Sequence, residues 1–328
     1  MTHKTRDISV TLGLEAAAFN SQIRERIHHG HIPDLRLAKE CTWFENNPWR
    51  HPEYVKLDFV EQFELISDAI AKYGTCVDPH DVSVLEVGCG PGYLSLELAR
   101  IGYNVTGIDV SEECINVAEE MAFKDPWKQD RGGLKYICGD FFFNGGLQNN
   151  SYDAVVFLGS LHHFKDQLSV VEKTSHLLKK DGLVLTHEPT RDRATKGNAA
   201  FMHLIRVLLS LQNGFFTESS IPADEHQYHC EIDKLFADMK YEDDHGSKVQ
   251  SICDNDAGHK EMYQALSSLF KEVLYKERYA FFHDIIGGLR FDDATNVSLA
   301  RYLRNCDSLL CELGVLQSME FFYVGRKP

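Results

Sequence analysis

The sequence predicts an α/β fold: a mostly parallel seven-stranded sheet with helices on both faces, an N-terminal helical lid and a helical cap insertion. Three observations predict it. Between residues 82 and 187, short apolar runs alternate with amphipathic segments, the signature of crossover connections and a parallel sheet. A glycine-rich turn follows the first apolar run. The chain has 328 residues, 43% hydrophobic and 25% charged, which is ordinary globular composition with material for a sizeable core.

The elements follow in order. Residues 16–28 form an amphipathic helix stopped by Gly30 and Pro33, and HHGH (28–31) is a polar loop. Two prolines and two tryptophans in 41–54 forbid a long regular element. Val55, Phe59, Phe63, Ile66 and Ile70 recur at helical spacing, and Gly74 closes that helix. Strands are expected at 82–87, 104–108, 134–138, 154–158 and 183–187, with helices at 93–101, 111–123 and 167–179 between them. Ser111 is a natural N-cap, with Glu112 and Glu113 favourably placed in the first turn. Beyond Glu188 the rhythm changes to helices at 199–211, 231–239, 259–275 and 296–313, with strands at 279–282 and 319–324. The chain divides into a lid (1–80), a cofactor-binding core (81–190), a cap insertion (191–278), and strands and a helix that complete the core (279–328).

The formal charge is −15, from 34 basic and 49 acidic residues. A phosphate-binding surface needs a basic stripe, so nucleic acid is excluded as a main partner. Apolar runs fall far short of the roughly 20 residues a membrane span needs. Nine dispersed cysteines without a CxxC pair read as reduced thiols, so a cytoplasmic protein is expected. Residues 224–261 hold eleven acids and four lysines, nearly half of the net charge. Within them DEHQYHCEID (224–233) reads as an acidic solvated helix, because a zinc site needs about four ligands at defined spacing. No metal is expected.

The strongest signal is VLEVGCGPGYLSLELA (84–99). A strand ends near Glu86, and Gly88, Gly90 and Gly92 alternate before a helix. Glycines let a ligand lie against the main chain, and the helix start offers free N–H groups. The spacing is GxGxG, not the GxGxxG of a dinucleotide fingerprint. Asp109 closes the next strand, where a carboxylate can accept both hydroxyls of a ribose.

These residues resemble the class I S-adenosylmethionine-dependent methyltransferases, which have a Rossmann-like sheet. EVGCGPG (86–92), GIDVS (107–111), CGDFF (138–142), VVFLGSLHHF (155–164) and LLKKDGLVLTHEP (177–189) carry the resemblance. It covers roughly 80–190 and the final strand, and is closest to the small-molecule branch of ubiquinone-biosynthesis and sugar methyltransferases. It implies S-adenosylmethionine as cofactor and S-adenosylhomocysteine as product. Gly88, Gly90 and Gly92 would approach the methionine and ribose. Glu86 would order the loop or meet the amino group through water. Asp109 would hold the ribose, Val110 would pack on the adenine, and Asp140 and Phe141 would border it. Gly159 and Ser160 would line the methionine end, and Arg50 would grip the cofactor carboxylate. Cys89 is packing, not a nucleophile.

The acceptor is then a small molecule or a sugar-like precursor, and the chain is open to oligomerisation. Methyl transfer is an in-line displacement in which positioning does most of the work. His162 or His163, after the fourth strand, could serve as a general base for a hydroxyl. Glu188, at the end of the fifth strand, points to the same edge and would help bind or orient the acceptor. Arg191, Arg193 and the pair His283–Asp284 are further candidates. Two other readings are open: a nicotinamide-dependent oxidoreductase or epimerase, and a non-catalytic module that keeps the cofactor site.

Overall fold

The computed structural model describes residues 3–143, 146–219, 221–243 and 245–328, with side chains from Val10 onward. Seven strands form one sheet: β1 (Ser83–Val87), β2 (Asn104–Asp109), β3 (Leu134–Cys138), β4 (Tyr152–Leu158), β5 (Leu178–Pro189), β6 (Lys271–Arg278) and β7 (Glu320–Arg326). Their order is β3-β2-β1-β4-β5-β7-β6. The first five pair in parallel, and β7 runs antiparallel between β5 and β6. The helices are α1 (His3–His28), α2 (Pro52–Val55), α3 (Glu61–Tyr73), α4 (Tyr93–Arg100), α5 (Glu112–Lys124), α6 (Gln167–Leu177), α7 (Lys196–Ser210), α8 (Glu225–Met239), α9 (His259–Leu269), α10 (His283–Ile286) and α11 (Asp293–Glu312). Among the described residues no helix is long and apolar enough to cross a membrane.

Alternation along the strands builds two core layers. Leu85, Val155, Phe157, Val184, Phe321 and Tyr323 pack on one face with Val170 and Val171 of α6 and Met262 and Leu266 of α9. Val84, Val156, Leu185, Phe322 and Val324 pack on the other with Ile66 and Ile70 of α3 and Leu94 and Leu98 of α4. A sheet buried on both faces reads as continuous apolar runs. Side chains also set the helix starts. Ser111 accepts from Cys114 N–H, Asp166 from Ser169, Thr195 from Asn198 and Asp292 from Thr295.

Three expectations fail at element ends. α1 starts at His3, well before residue 16. α8 starts at Glu225, with Asp224 as its cap, where the sequence suggested 231. The helix expected over 259–275 stops at Leu269, and Lys271–Arg278 is the sixth strand instead. The apolar spacing of Met262, Leu266 and Leu269 carried the helix expectation too far. β6 is an edge strand whose Lys271, Glu272, Lys276 and Glu277 hide the alternation, as charges on an edge often do. Residues 279–282, expected as a strand, form a turn that begins at Tyr279 with φ +26°.

That turn is held by a single carboxylate. Asp307 of α11 is fully buried and accepts the backbone N–H groups of Ala280, Phe281 and Phe282 at 2.7, 2.8 and 2.7 Å. Met202, Ile232, Leu235, Phe281, Phe282, Ile285 and Leu303 form one buried apolar cluster that includes this turn. Losing the carboxylate would leave three buried donors unpaired, at about 1–3 kcal/mol for each group left without a partner. Asp307→Ala is therefore expected to lower the unfolding free energy by roughly 3 kcal/mol or more. Urea denaturation checks this; a loss under about 1 kcal/mol would show the turn is held by other contacts.

Candidate active site

In open α/β sheets, ligands sit at the carboxyl ends of the strands, where the strand order reverses. Here the reversal lies between β1 and β4, and a cavity of about 1370 Å³ opens there. Its floor is the ends of β1, β2, β4 and β5, its roof is α1, and one wall comes from the cap segment 250–256.

The glycine turn builds one end. Gly88 has φ +72°, and a Cβ there would lie 2.5 Å from the Cβ of Ser160. Gly90 has φ +49°, and a Cβ there would meet nothing within 4 Å, so the main chain is bare toward the cavity. Asp109 closes the turn: its Oδ2 accepts from Gly90 N–H and its Oδ1 from Ser111 N–H, both at 2.8 Å. Burial raises its pKa, and those N–H donors oppose the rise. Each oxygen keeps a further lone pair, and Asp109 lines the cavity beside Val110. Asp140, Phe141 and Gly159 line it too. Asp140 Oδ1 accepts from Phe142 N–H at 2.8 Å.

Three expected cofactor residues differ in placement or surroundings. Gly92 does not line the cavity. It starts α4, packs against Tyr136 and Ala118, and accepts a hydrogen bond from the Tyr136 hydroxyl at 3.2 Å. Arg50 also lies off the cavity; its Nη1 donates to the Leu289 carbonyl at 3.1 Å, so it ties the N-terminal region to the segment before α11. Glu86 lines the cavity but is buried, and the Ser95 hydroxyl of α4 donates to it. Burial pushes its carboxyl up to about 8, against the lowering effect of Ser95.

Arg26, Glu15 and Asp254 line the cavity and were missed from sequence. Arg26 of α1 lines the cavity at the glycine-turn end, close enough to Tyr93 and Cys114 to couple electrostatically with both. Among the described residues it has no ion-pair partner, and burial lowers its pKa. The only sequence signal was a basic residue in the last turns of an amphipathic helix.

The opposite end is a carboxylate–imidazole node. Glu188 is fully buried and absent from the cavity lining. Its Oε1 accepts from Ser160 and Leu161 N–H at 3.1 and 2.9 Å, and its Oε2 lies 2.7 Å from His162 Nδ1. It therefore holds the turn 160–162 and the His162 ring, and does not reach the cavity. His162 lines the cavity, and its Nε2 lies 3.4 Å from Asp254 Oδ1. Burial alone would lower its pKa, but Asp254 and Glu188 lift it to about 9. A ring with both nitrogens facing carboxylates and its proton held is a poor general base. His163 also lines the cavity, with Nδ1 2.7 Å from Glu15 Oε1 of α1. Glu15 would be raised by burial, but His163, Cys253 N–H and Ser251 bring its pKa below the usual value.

The other candidates make the following contacts. His283 faces Asp58 at 3.2 Å and Glu320 at 2.6 Å, not Asp284. Arg193 pairs with Glu277 at 2.7 Å. Arg191 lines the cavity while donating to the Met239 carbonyl at 2.8 Å. His31 of the expected polar loop is buried against Phe44 and Trp49, which pushes its pKa down to about 3.

Residues 85–186 match the family model of a methyltransferase domain. The matched segment runs from β1 to β5 and holds the glycine turn and Asp109. The cavity has room and chemistry for S-adenosylmethionine: the main chain is bare at Gly90, a carboxylate stands at Asp109 and an aromatic ring at Phe141. Over 154 residues this chain is 29% identical to a ubiquinone biosynthesis O-methyltransferase of Actinobacillus pleuropneumoniae, covering 44% of this chain and 58% of that protein. Over 164 residues it is 34% identical to a protein of the same description from Shewanella pealeana, covering 48% and 62%. The alignments thus span less than two thirds of these relatives. A SAM-dependent methyltransferase structure from Methanosarcina mazei aligns at 19% identity and a TM-score of 0.46, covering 79% of this chain and 96% of that one.

Glu86 gives a pH test. Its native pKa stands above the ordinary 4.5, so its contribution to stability is complete below about pH 4.5 and is lost as pH climbs through 8. Glu86→Gln is expected to be more stable than the parent at pH 8, by on the order of 1–3 kcal/mol, and close to it at pH 5. Urea unfolding at the two pH values measures this. A difference that does not change with pH would contradict a neutral buried carboxyl.

Proposed function

We propose that the chain transfers the methyl group of S-adenosylmethionine to an oxygen of a small-molecule acceptor. The observation that carries this reading is one continuous cavity. It joins the Gly88–Asp109 end to the His162–His163 wall, roofed by α1 and lined by Phe19, Phe142 and Phe164. The names of the aligned relatives support oxygen as the accepting atom. An acceptor with an apolar or aromatic body suits the lining, and the partner is a small molecule, not nucleic acid. Nine thiols, none in a disulfide, support a cytoplasmic setting.

When bound, the cofactor supplies an electrophilic methyl on a sulfonium and leaves as S-adenosylhomocysteine. The chain's own residues do the rest. Asp109 accepts from the ribose hydroxyls with its remaining lone pairs. Arg26 replaces Arg50 as the grip on the methionine carboxylate, because a half-buried guanidinium in the cavity wall, with no ion-pair partner among the described residues, matches a carboxylate in charge and geometry. Asp140 and Phe141 border the adenine. α1 excludes water from the transfer path, so that positioning supplies the rate. Glu188 fixes the turn 160–162 and the His162 ring, and the His162–His163 wall meets the acceptor.

Asp109→Ala is expected to weaken S-adenosylhomocysteine binding by about 30-fold or more, since two hydrogen bonds to a charged acceptor are lost. Calorimetric titration measures it; unchanged affinity would refute the ribose assignment. Arg26→Gln is expected to cost about 10–100-fold in the same titration, with partial recovery in Arg26→Lys. Equal affinities for all three side chains would place the carboxylate elsewhere. Tight binding of a nicotinamide dinucleotide without binding of S-adenosylhomocysteine would replace the whole reading with the oxidoreductase.

A further inference from the structure

The node at the acceptor end holds more negative charge than its imidazoles neutralise. Glu15, Glu188 and Asp254, all buried, converge on His162 and His163. Even with both rings protonated, three carboxylates outnumber them.

The hydrogen bonds are also arranged in a specific way. Glu188 takes His162 at Nδ1 and Glu15 takes His163 at Nδ1, both at 2.7 Å. Each ring thereby turns Nε2 away from its supporting carboxylate, and the His162 Nε2 lies 3.4 Å from Asp254 Oδ1. A carboxylate on Nδ1 is the usual support for a histidine that binds a metal through Nε2. The two rings lie 4.2 Å apart between centroids.

Asp254 completes the set. It is 1% exposed, and its Oδ2 has no hydrogen-bond partner among the described residues. Such an oxygen is costly to bury unless something positive meets it. His162, His163 and Asp254 each offer one ligand atom, and these atoms lie within 4.8 Å of one another.

We propose that His162, His163 and Asp254 form a binding site for a divalent transition metal, in the wall of the methyl-transfer cavity. Two imidazoles and one carboxylate suit Zn²⁺, Mn²⁺ or Fe²⁺ better than the all-oxygen preference of Mg²⁺ or Ca²⁺. Three protein ligands leave open positions, as in catalytic rather than structural sites. All three residues line the cavity, so the open positions face the acceptor. This role rests on the methyl-transfer reading: the cation holds the acceptor hydroxyl and acidifies it. The hydroxyl proton passes to water. The oxygen then forms the new C–O bond, and the cofactor sulfur keeps the electron pair of the broken C–S bond. The site also explains why neither Glu188 nor His162 is placed as a base.

The test strips the full-length protein of metal by dialysis against a chelator. Zn²⁺ and Mn²⁺ are then titrated separately by calorimetry, with bound metal counted by mass spectrometry. The parent is expected to bind one equivalent of at least one of the two. Asp254→Asn and His162→Gln are expected to weaken that binding at least about 10-fold. Glu15→Gln keeps all three ligands and is expected to weaken it by about 10–100-fold, the effect of losing a supporting carboxylate. His226→Ala/His229→Ala, on the exposed face of α8, is expected to retain the full equivalent. No stoichiometric binding by the parent would overturn the proposal. So would affinity unchanged in Asp254→Asn, or binding lost with His226 and His229. S-adenosylhomocysteine titrated into the same samples separates the two readings. Cofactor binding without metal removes the metal site alone, and metal binding without the cofactor removes the methyl-transfer role.

Discussion

His162, held between Glu188 and Asp254, is the contact on which the acceptor end of the molecule depends. Glu188 belongs to β5, His162 to the turn after β4, and Asp254 to the cap. The Ala257 N–H also donates to the His162 carbonyl at 3.1 Å. Alongside, Glu15 brings α1 to the same point. It meets His163, accepts from the Ser251 hydroxyl at 2.9 Å and accepts from Cys253 N–H at 3.0 Å. Lid, sheet and cap therefore share one set of buried charges. Charges this deep are tolerated only when paired, so removing any member disturbs the other elements together.

The cofactor end obeys a different constraint. There the sheet does the positioning, because β1, β2 and β4 end side by side at the reversal of strand order. Asp109 serves the fold and the site with the same carboxylate. It closes the glycine turn through Gly90 and caps the approach to α5 through Ser111. Gly88 is required because Ser160 stands where its side chain would be, and the Ser160 hydroxyl in turn donates to the Val87 carbonyl at 2.6 Å. The two ends of the cavity are thus linked through the β1–β4 contact.

What was legible in the sequence follows from range. Gly88, Gly90, Asp109, Val110, Asp140, Phe141 and Gly159 sit at strand ends, and a strand end can be read from its own neighbours. All of them line the cavity. Gly92 was misplaced because a helix start and a ligand contact look alike in a glycine turn. Arg50 was misplaced because its partner, the Leu289 carbonyl, lies 239 positions away. The same limit hid Glu15 and Asp254: Glu15 meets Ser251 across 236 positions. Asp254 looked like one more acid in a solvated stretch, and only the fold turns it inward. β6 was hidden for a local reason, since an edge strand covered in charges lacks the apolar alternation that marks a strand.

The central claim is that one cavity holds the cofactor at the glycine turn and presents its sulfur to the histidine wall. A crystal structure with S-adenosylhomocysteine tests this most directly. The account predicts ribose hydroxyls on Asp109, adenine beside Asp140 and Phe141, and the sulfur open toward His162 and His163. A ligand whose ribose lies away from Asp109, or whose sulfur faces away from the histidines, would contradict it.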